Sequence, residues 1–347
     1  MPYAISNGYY RYVPDPTYEG PSYCEIFAET IGKVIKVVFR ALTEIVTFAL
    51  ALIAIPIAFC CQKWIIKKMI VPGVDNLSYI ANPVYFKAED DVELEGVFHE
   101  GTKNPKVVVI CCGGNQETAQ TDSYSFIKEM GYSVFCYNRR GVRKSGLQGE
   151  MQKEATGEYP KSAGDLQKDA RAALNHVVTT HKPQQLLGFG YSMGGFEILS
   201  IANEAKKQNL TMPVVLDAPF TSISDVPHAI IDKHEDYERK ELTPGQKFLK
   251  KFHDSAIFPR HSLKFFTSTV LAIIGFRGVN NENLLKNVKD HCCVVTREND
   301  SIIHKNARLS TETAESFPLG HNDSKSSDLK RSVQEFFHKY APQGDRS

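Results

Sequence analysis

Leu186-Leu187-Gly188-Phe189-Gly190-Tyr191-Ser192-Met193-Gly194-Gly195-Phe196 is the stretch that decides the fold. Leu186 to Gly190 reads as a buried strand, and Phe196 to Ala205 has the pattern of a helix. Between them Ser192 stands with glycine two places before it and two places after it, and Gly195 extends the glycine run. A strand that turns this sharply into a helix lifts the serine hydroxyl above the sheet. Side chains at the flanking positions would collide with the neighbouring strand and helix. The helix that follows also points its positive end at the serine, which favours negative charge there.

Outward from this turn, short β-branched runs alternate with amphipathic helices. Val84 to Lys87 and Val92 to Phe98 read as an antiparallel pair joined by the acidic turn Glu89-Asp90-Asp91. Lys106 to Cys112 is continuously apolar after its first residue, the mark of a strand buried on both faces. Ser123 to Met130 reads as a short helix, Tyr132 to Tyr137 as a strand, and Ala163 to His181 as a helix with Leu166, Ala170, Ala173, Leu174 and Val177 on one side. Val214 to Leu216 and Cys292 to Thr296 are further strands, and Ser324 to Tyr340 is a closing helix. Such alternation predicts an α/β fold with a mostly parallel central sheet, helices on both faces, and a site beyond the carboxyl ends of the strands. From about 220 to 290 the alternation stops, which predicts a cap or insertion whose apolar stretch Leu263 to Gly275 would suit a lipid or acyl substrate. Helices that complete the core are the competing reading.

With its strand and helix in place, the Gly190-Tyr191-Ser192-Met193-Gly194 turn resembles the nucleophile elbow of the α/β-hydrolase superfamily, a likeness that extends over about residues 84 to 340. The resemblance implies an acid and then a histidine after the serine. Arg297-Glu298-Asn299-Asp300-Ser301-Ile302-Ile303 is similar to the acid turn: Asp300, followed by an aliphatic pair, matches the acid, and Glu298 competes. Phe317-Pro318-Leu319-Gly320-His321 resembles the histidine loop. The catalytic residues implied are therefore Ser192, Asp300 and His321. The oxyanion hole would use the backbone N–H of Met193 and one from Gly113-Gly114-Asn115-Gln116-Glu117, with Asn115 preferred over Gln116. Gly113 stands where the superfamily often has histidine. Tyr137 to Gly146 resembles a turn that braces the active-site loops; its basic cluster Arg139, Arg140, Arg143 and Lys144 offers a second role, contact with an anionic head group.

The amino-terminal part is different in kind. Residues 1–23 read as an irregular lead. Residues 24–72 read as a membrane-associating helical segment, in which Ile26, Phe27, Ile31, Val34, Ile35, Val38, Leu42, Ile45 and Val46 recur at helical steps. Ile45 to Cys61 then runs about seventeen residues without a charge, near the lower limit for a transmembrane helix, and Trp64 with Lys63, Lys67 and Lys68 closes it. A buried helix against the catalytic core is the alternative, and Pro56 would kink a spanning helix or turn a hairpin. Residues 73–347 form the catalytic domain.

Lysine and arginine number 41 against 40 acidic residues, so no global field attracts nucleic acid. The eight cysteines lack the spacing of a zinc site or a secreted disulfide framework; no metal or cofactor is expected, and the catalytic domain is placed in a reducing, cytosolic compartment at a membrane. The resulting expectation is a serine hydrolase that cleaves an ester or thioester of a lipid or acylated substrate. A membrane-tethered binding protein on the same scaffold, a peptidase and an acyltransferase are the alternatives; the partners expected are an acyl or lipid substrate and a membrane, and the sequence leaves protein partners open.

Overall fold

The computed structural model describes residues 82–115, 117–119, 124–142, 160–232 and 260–341, together with two short amino-terminal strands and separate helical positions between Glu29 and Cys60. Eight strands form one sheet: β1 Val84–Lys87, β2 Glu93–His99, β3 Asn104–Cys112, β4 Tyr132–Asn138, β5 Gln185–Tyr191, β6 Val214–Asp217, β7 Cys292–Arg297 and β8 Glu315–Phe317. Their order is β1-β2-β4-β3-β5-β6-β7-β8. β1 and β2 pair antiparallel, as do β2 and β4, and every remaining pair is parallel.

Seven helices accompany the described sheet: α1 Ser125–Glu129, α2 Ala163–His181, α3 Gly194–Lys207, α4 Asp225–Asp232, α5 Arg260–Ile273, α6 Asn281–Leu285 and α7 Ser327–Tyr340. The central strand β3 shows why both faces are covered. Val108, Ile110 and Cys112 pack with Ala170, Leu174 and Val177 of α2 and Ile198 and Leu199 of α3. The alternate residues Val107, Val109 and Cys111 pack with Ile127 of α1 and Leu329, Val333 and Phe337 of α7. A period of two on a wholly apolar run divides one strand between two cores. Ser162 and Ser326 cap α2 and α7 by accepting from Asp165 N and Leu329 N.

The expected elements are present with shifted ends, and one strand was not anticipated. β8 has three residues, none of them buried, and its sequence Glu315-Ser316-Phe317 carries no strand pattern; it exists because the edge of β7 offers it a ladder. In the expected cap, Ala229, Leu271 and Ile274 are buried in a third apolar cluster with Met193 and Phe196, so this part completes the core above the nucleophile turn. Residues 233–259 of that insertion lie outside the described residues.

The lead read as irregular contains a two-stranded antiparallel ladder, Tyr3–Ser6 against Tyr9–Tyr12. Asn7-Gly8 stands between the strands, a dipeptide suited to a two-residue hairpin. Further on, the described positions between Glu29 and Cys60 are helical, and Ile31, Val34, Ile35, Val38, Leu42, Ile45 and Val46 are all exposed. Among the described residues no helix is long and apolar enough to cross a membrane. The transmembrane helix expected over 45–61 is therefore not supported; most of that run lies outside the described residues.

Candidate active site

Ser192 lies between β5 and α3 with φ 52°, a left-handed backbone conformation that L side chains rarely adopt. Two hydrogen bonds hold the turn, Ser192 N–H to Asp217 O at 2.9 Å and Gly195 N–H to Ser192 O at 3.0 Å. The flanking glycines are there for space. A Cβ on Gly190 would stand 2.7 Å from Gly194 O, and one on Gly194 would stand 2.0 Å from Cys112 O. Close approach of α3 to the end of β3 thus depends on the missing side chain.

The three residues implied by the resemblance come together although 129 positions separate the first from the last. His321 Nε2 is 3.1 Å from Ser192 Oγ, and His321 Nδ1 is 2.7 Å from Asp300 Oδ2. With the proton on Nδ1 the ring donates to Asp300 and accepts from the Ser192 hydroxyl. The other carboxylate oxygen of Asp300 accepts from Ile302 N–H at 2.9 Å and Ile303 N–H at 2.6 Å. That explains the aliphatic pair after the acid: its backbone orients the carboxylate. Glu298, the competing acid, is exposed. Ser192, His321 and Asp300 are all nearly buried, at 8%, 6% and 6% exposure, so little water competes for these bonds. This arrangement can move a proton from the serine oxygen to the imidazole while a carboxylate balances the charge.

Met193 is the N-cap of α3 and is buried, and Asn115 is exposed at the turn after β3; Gln116 lies outside the described residues. The N–H of Gly114 is engaged by Glu117 Oε2 at 2.7 Å. The loop is braced from below by Arg139, which donates to Gly113 O at 2.8 Å and Gly114 O at 3.2 Å and pairs with Glu197 of α3 at 2.7 Å. Burial pushes the Glu197 carboxyl upward against the pull of Arg139. Arg140 is likewise buried, bonded to Asp169 Oδ1 at 2.8 Å and to Asp90 Oδ2 at 2.8 Å. These two arginines fasten the sheet to its loops and are not available to a head group; Arg143 and Lys144 lie outside the described residues.

Four buried or half-buried residues behind the histidine escape the sequence reading. Asp217 ends β6, Arg297 ends β7, Tyr191 precedes the serine, and Lys325 follows the histidine loop. Arg297 holds Asp217 with bonds of 2.9 and 2.8 Å. Lys325 lies over the Tyr191 ring, 5.0 Å from its centroid, and burial pulls its pKa down. A charged residue closing an apolar strand was the available signal, visible in Val214-Val215-Leu216-Asp217 and again in Cys292 to Arg297.

The family described as serine aminopeptidase, S33, matches residues 102–309, a span that includes Ser192 and Asp300 and ends before His321. Among curated relatives, the uncharacterized protein YfhR of Escherichia coli O157:H7 is 29% identical over 161 residues, 44% of this chain and 51% of that protein. The same protein from strain K12 matches over the same extent. The chain thus spans about half the length of the curated relatives it matches. Among solved structures, an esterase from Pyrococcus furiosus superposes with a TM-score of 0.52 at 18% identity, covering 79% of this chain and 99% of that one. Likeness at that identity shows the fold alone. With a family match across more than half of its length and the strand order above, the chain belongs to the serine aminopeptidase S33 family of the α/β-hydrolase superfamily.

Proposed function

We propose that this hydrolase is a serine esterase or thioesterase acting on a lipid or acylated substrate through Ser192, His321 and Asp300. The observation that carries the reading is the continuous relay from Ser192 Oγ through both ring nitrogens of His321 to Asp300, at 3.1 and 2.7 Å. Ser192 Oγ attacks the acyl carbonyl while His321 Nε2 takes its proton. Asp300 holds the ring in the required tautomer and balances the imidazolium. The oxyanion that forms accepts from the N–H groups of Met193 and Asn115. Collapse expels the alcohol or thiol, protonated by His321, and leaves an acyl-enzyme; His321 then deprotonates water, which attacks and releases the acid.

An apolar substrate is favoured by the partly buried Ile223, Val226 and Ile302, which lie on the buried cluster of Met193 and Phe196 beside the nucleophile turn. Membrane association is favoured by the exposed apolar positions between Ile31 and Ile53. The reduced, buried cysteines of β3 and β7 are compatible with a cytosolic catalytic domain. The family's description favours a second reading, release of an amine from an aminoacyl substrate by the same triad.

The experiment is labelling by an alkyl fluorophosphonate, followed by hydrolysis of p-nitrophenyl esters of graded chain length and of aminoacyl p-nitroanilides. Labelling that disappears in Ser192→Ala, with esters preferred over anilides, is expected. A folded wild-type protein that resists the probe refutes the serine-hydrolase reading, and preference for anilides replaces the esterase with the aminopeptidase.

A further inference from the structure

His321 sits on a stretch, 318–326, that lies between β8 and α7 and belongs to neither. No strand ladder fixes it, and its backbone is held by Leu319 N–H to Phe317 O, Asn299 N–H to Leu319 O, Asp323 N–H to Gly320 O, Gly320 N–H to Asp323 Oδ2 and Lys330 N–H to Ser326 O, none of which involves the backbone of His321. Hydrogen-bond reach between Nε2 and Oγ nevertheless requires the ring to be held within a few tenths of an ångström.

The guanidinium of Arg297 supplies what the ladder does not. It is 1% exposed. One edge is fixed to Asp217 by two parallel bonds, Nε to Oδ1 and Nη2 to Oδ2. The remaining nitrogen, Nη1, donates to three carbonyls of the histidine loop, Gly320 O at 2.9 Å, His321 O at 2.8 Å and Asp323 O at 3.0 Å. Tyr191 OH donates to the same His321 carbonyl, and its ring lies 5.2 Å from the guanidinium carbon. Asp217 closes the circuit, because its own carbonyl accepts from the N–H of Ser192. A single buried residue therefore holds the backbone of the nucleophile directly and that of the histidine through one arginine. Burial works against the charge on Arg297, but the Asp217 carboxylate outweighs it and keeps the guanidinium above its ordinary range.

We propose that Arg297 is a positioning residue for the hydrolytic reaction, clamping the His321 backbone to Asp217 so that Nε2 stays within reach of Ser192 Oγ. The clamp touches no reacting atom and acts through His321 alone. It rests on the serine-hydrolase reading. Loss of the clamp slows acylation and leaves substrate binding nearly unchanged, whereas a merely structural residue would change both or only stability.

The test compares the full-length wild type with Arg297→Lys, Arg297→Ala and Tyr191→Phe, after thermal melting has shown which variants fold. Fluorophosphonate labelling rates and the kcat and KM of a p-nitrophenyl ester are measured with and without millimolar guanidinium. A cavity of about 450 Å³ borders Arg297, so truncation leaves a hole that a free guanidinium ion can enter. Displacing a reacting group by about 1 Å costs on the order of 100-fold, which is the loss expected in kcat and labelling for Arg297→Ala, with KM within threefold and partial rescue by guanidinium but not by urea. Arg297→Lys, which keeps the charge without the fork, should fall between. Rates within threefold of wild type in the folded Arg297 variants overturn the clamp. Should neither fold, Tyr191→Phe decides, because it removes the other donor to His321 O and spares the Asp217 pair: a loss of tenfold or more upholds the clamp and an unchanged rate overturns it. A folded wild type that resists labelling overturns the serine-hydrolase reading and the clamp with it; a labelled wild type with equally labelled variants overturns the clamp alone.

Discussion

Gly194 and Gly195 are neighbours in sequence, and alanine at the two positions should have opposite effects. A Cβ on Gly194 would meet Cys112 O at 2.0 Å, Cys112 C at 2.4 Å and Gly113 O at 2.6 Å. All three are backbone atoms, so no side chain can rotate away, and relief requires the start of α3 and the end of β3 to part by about 1 Å or more. That is the seam on which Met193 N–H and Asn115 N–H would have to converge on one oxyanion. Overpacking of this kind costs about 1–3 kcal/mol of stability. Misplacing one donor by about 1 Å slows reaction by on the order of 100-fold, and losing it altogether by up to about 1000-fold. At Gly195 the nearest atoms to an added Cβ are Pro219 Cβ at 3.6 Å and Asn281 Nδ2 at 3.8 Å, ordinary contacts in a helical position. Gly195→Ala should keep its activity and gain a few tenths of a kcal/mol to about 1 kcal/mol from helix propensity. Urea unfolding gives the stabilities, and ester kcat/KM with fluorophosphonate labelling gives the rates. Gly194→Ala within threefold of wild type, or Gly195→Ala as damaging as Gly194→Ala, would refute the steric argument for the turn.

Asp300→Asn should lower kcat by about 10⁴-fold with the fold intact, because an amide still accepts from Ile302 and Ile303 but no longer balances the imidazolium. Glu298→Gln should change kcat by less than about twofold, since that side chain is exposed; a larger loss from Glu298→Gln than from Asp300→Asn in ester assays would reverse the assignment of the acid. A pH effect arises at Asp169, where burial raises the pKa from 3.8 to about 6 despite the bonds from Arg140. Between those two values the folded chain holds a proton that the unfolded chain has released, so this carboxyl favours folding at pH 4 and loses that advantage as pH rises through 6. The stability difference between wild type and Asp169→Asn should therefore fall by about 2 kcal/mol from pH 4 to pH 6.5 in urea titrations, and a difference that stays constant or grows would contradict it.

What was legible in the sequence is what local chemistry dictates. The run Val107 to Cys112 is apolar at every position because both its faces are covered, and Ala163 to His181 shows a clean stripe because one of its faces is not. The nucleophile turn was readable for a similar reason: Gly190 and Gly194 are demanded by atoms a few residues away or one strand over. β8 was not readable, since three residues beside an existing edge, none of them buried, need no pattern of their own. The ladder of Tyr3–Ser6 with Tyr9–Tyr12 has one local signal, the dipeptide Asn7-Gly8, in a stretch that otherwise shows no period.

The histidine site divides along the same line. Ser192, Asp300 and His321 were found by their order in the chain and by short local motifs. Their supports, Asp217, Arg297 and Tyr191, were not, because nothing local requires them. Arg297 needs a carboxylate 80 positions earlier and carbonyls 23 to 26 positions later, and neither spacing has a period or a motif. The physical hint is compositional: a buried charge is tolerated only when paired, so an aspartate and an arginine at the ends of two apolar strands invite pairing once those strands are neighbours. β6 and β7 are neighbours, with Asp217 opposite Val295 in register and Arg297 two residues further along the same strand. Both residues point to one side of the sheet end, the side on which the His321 loop must land. Local sequence thus reveals the candidate reacting groups, while the residues packed behind them become visible only when strand order is known.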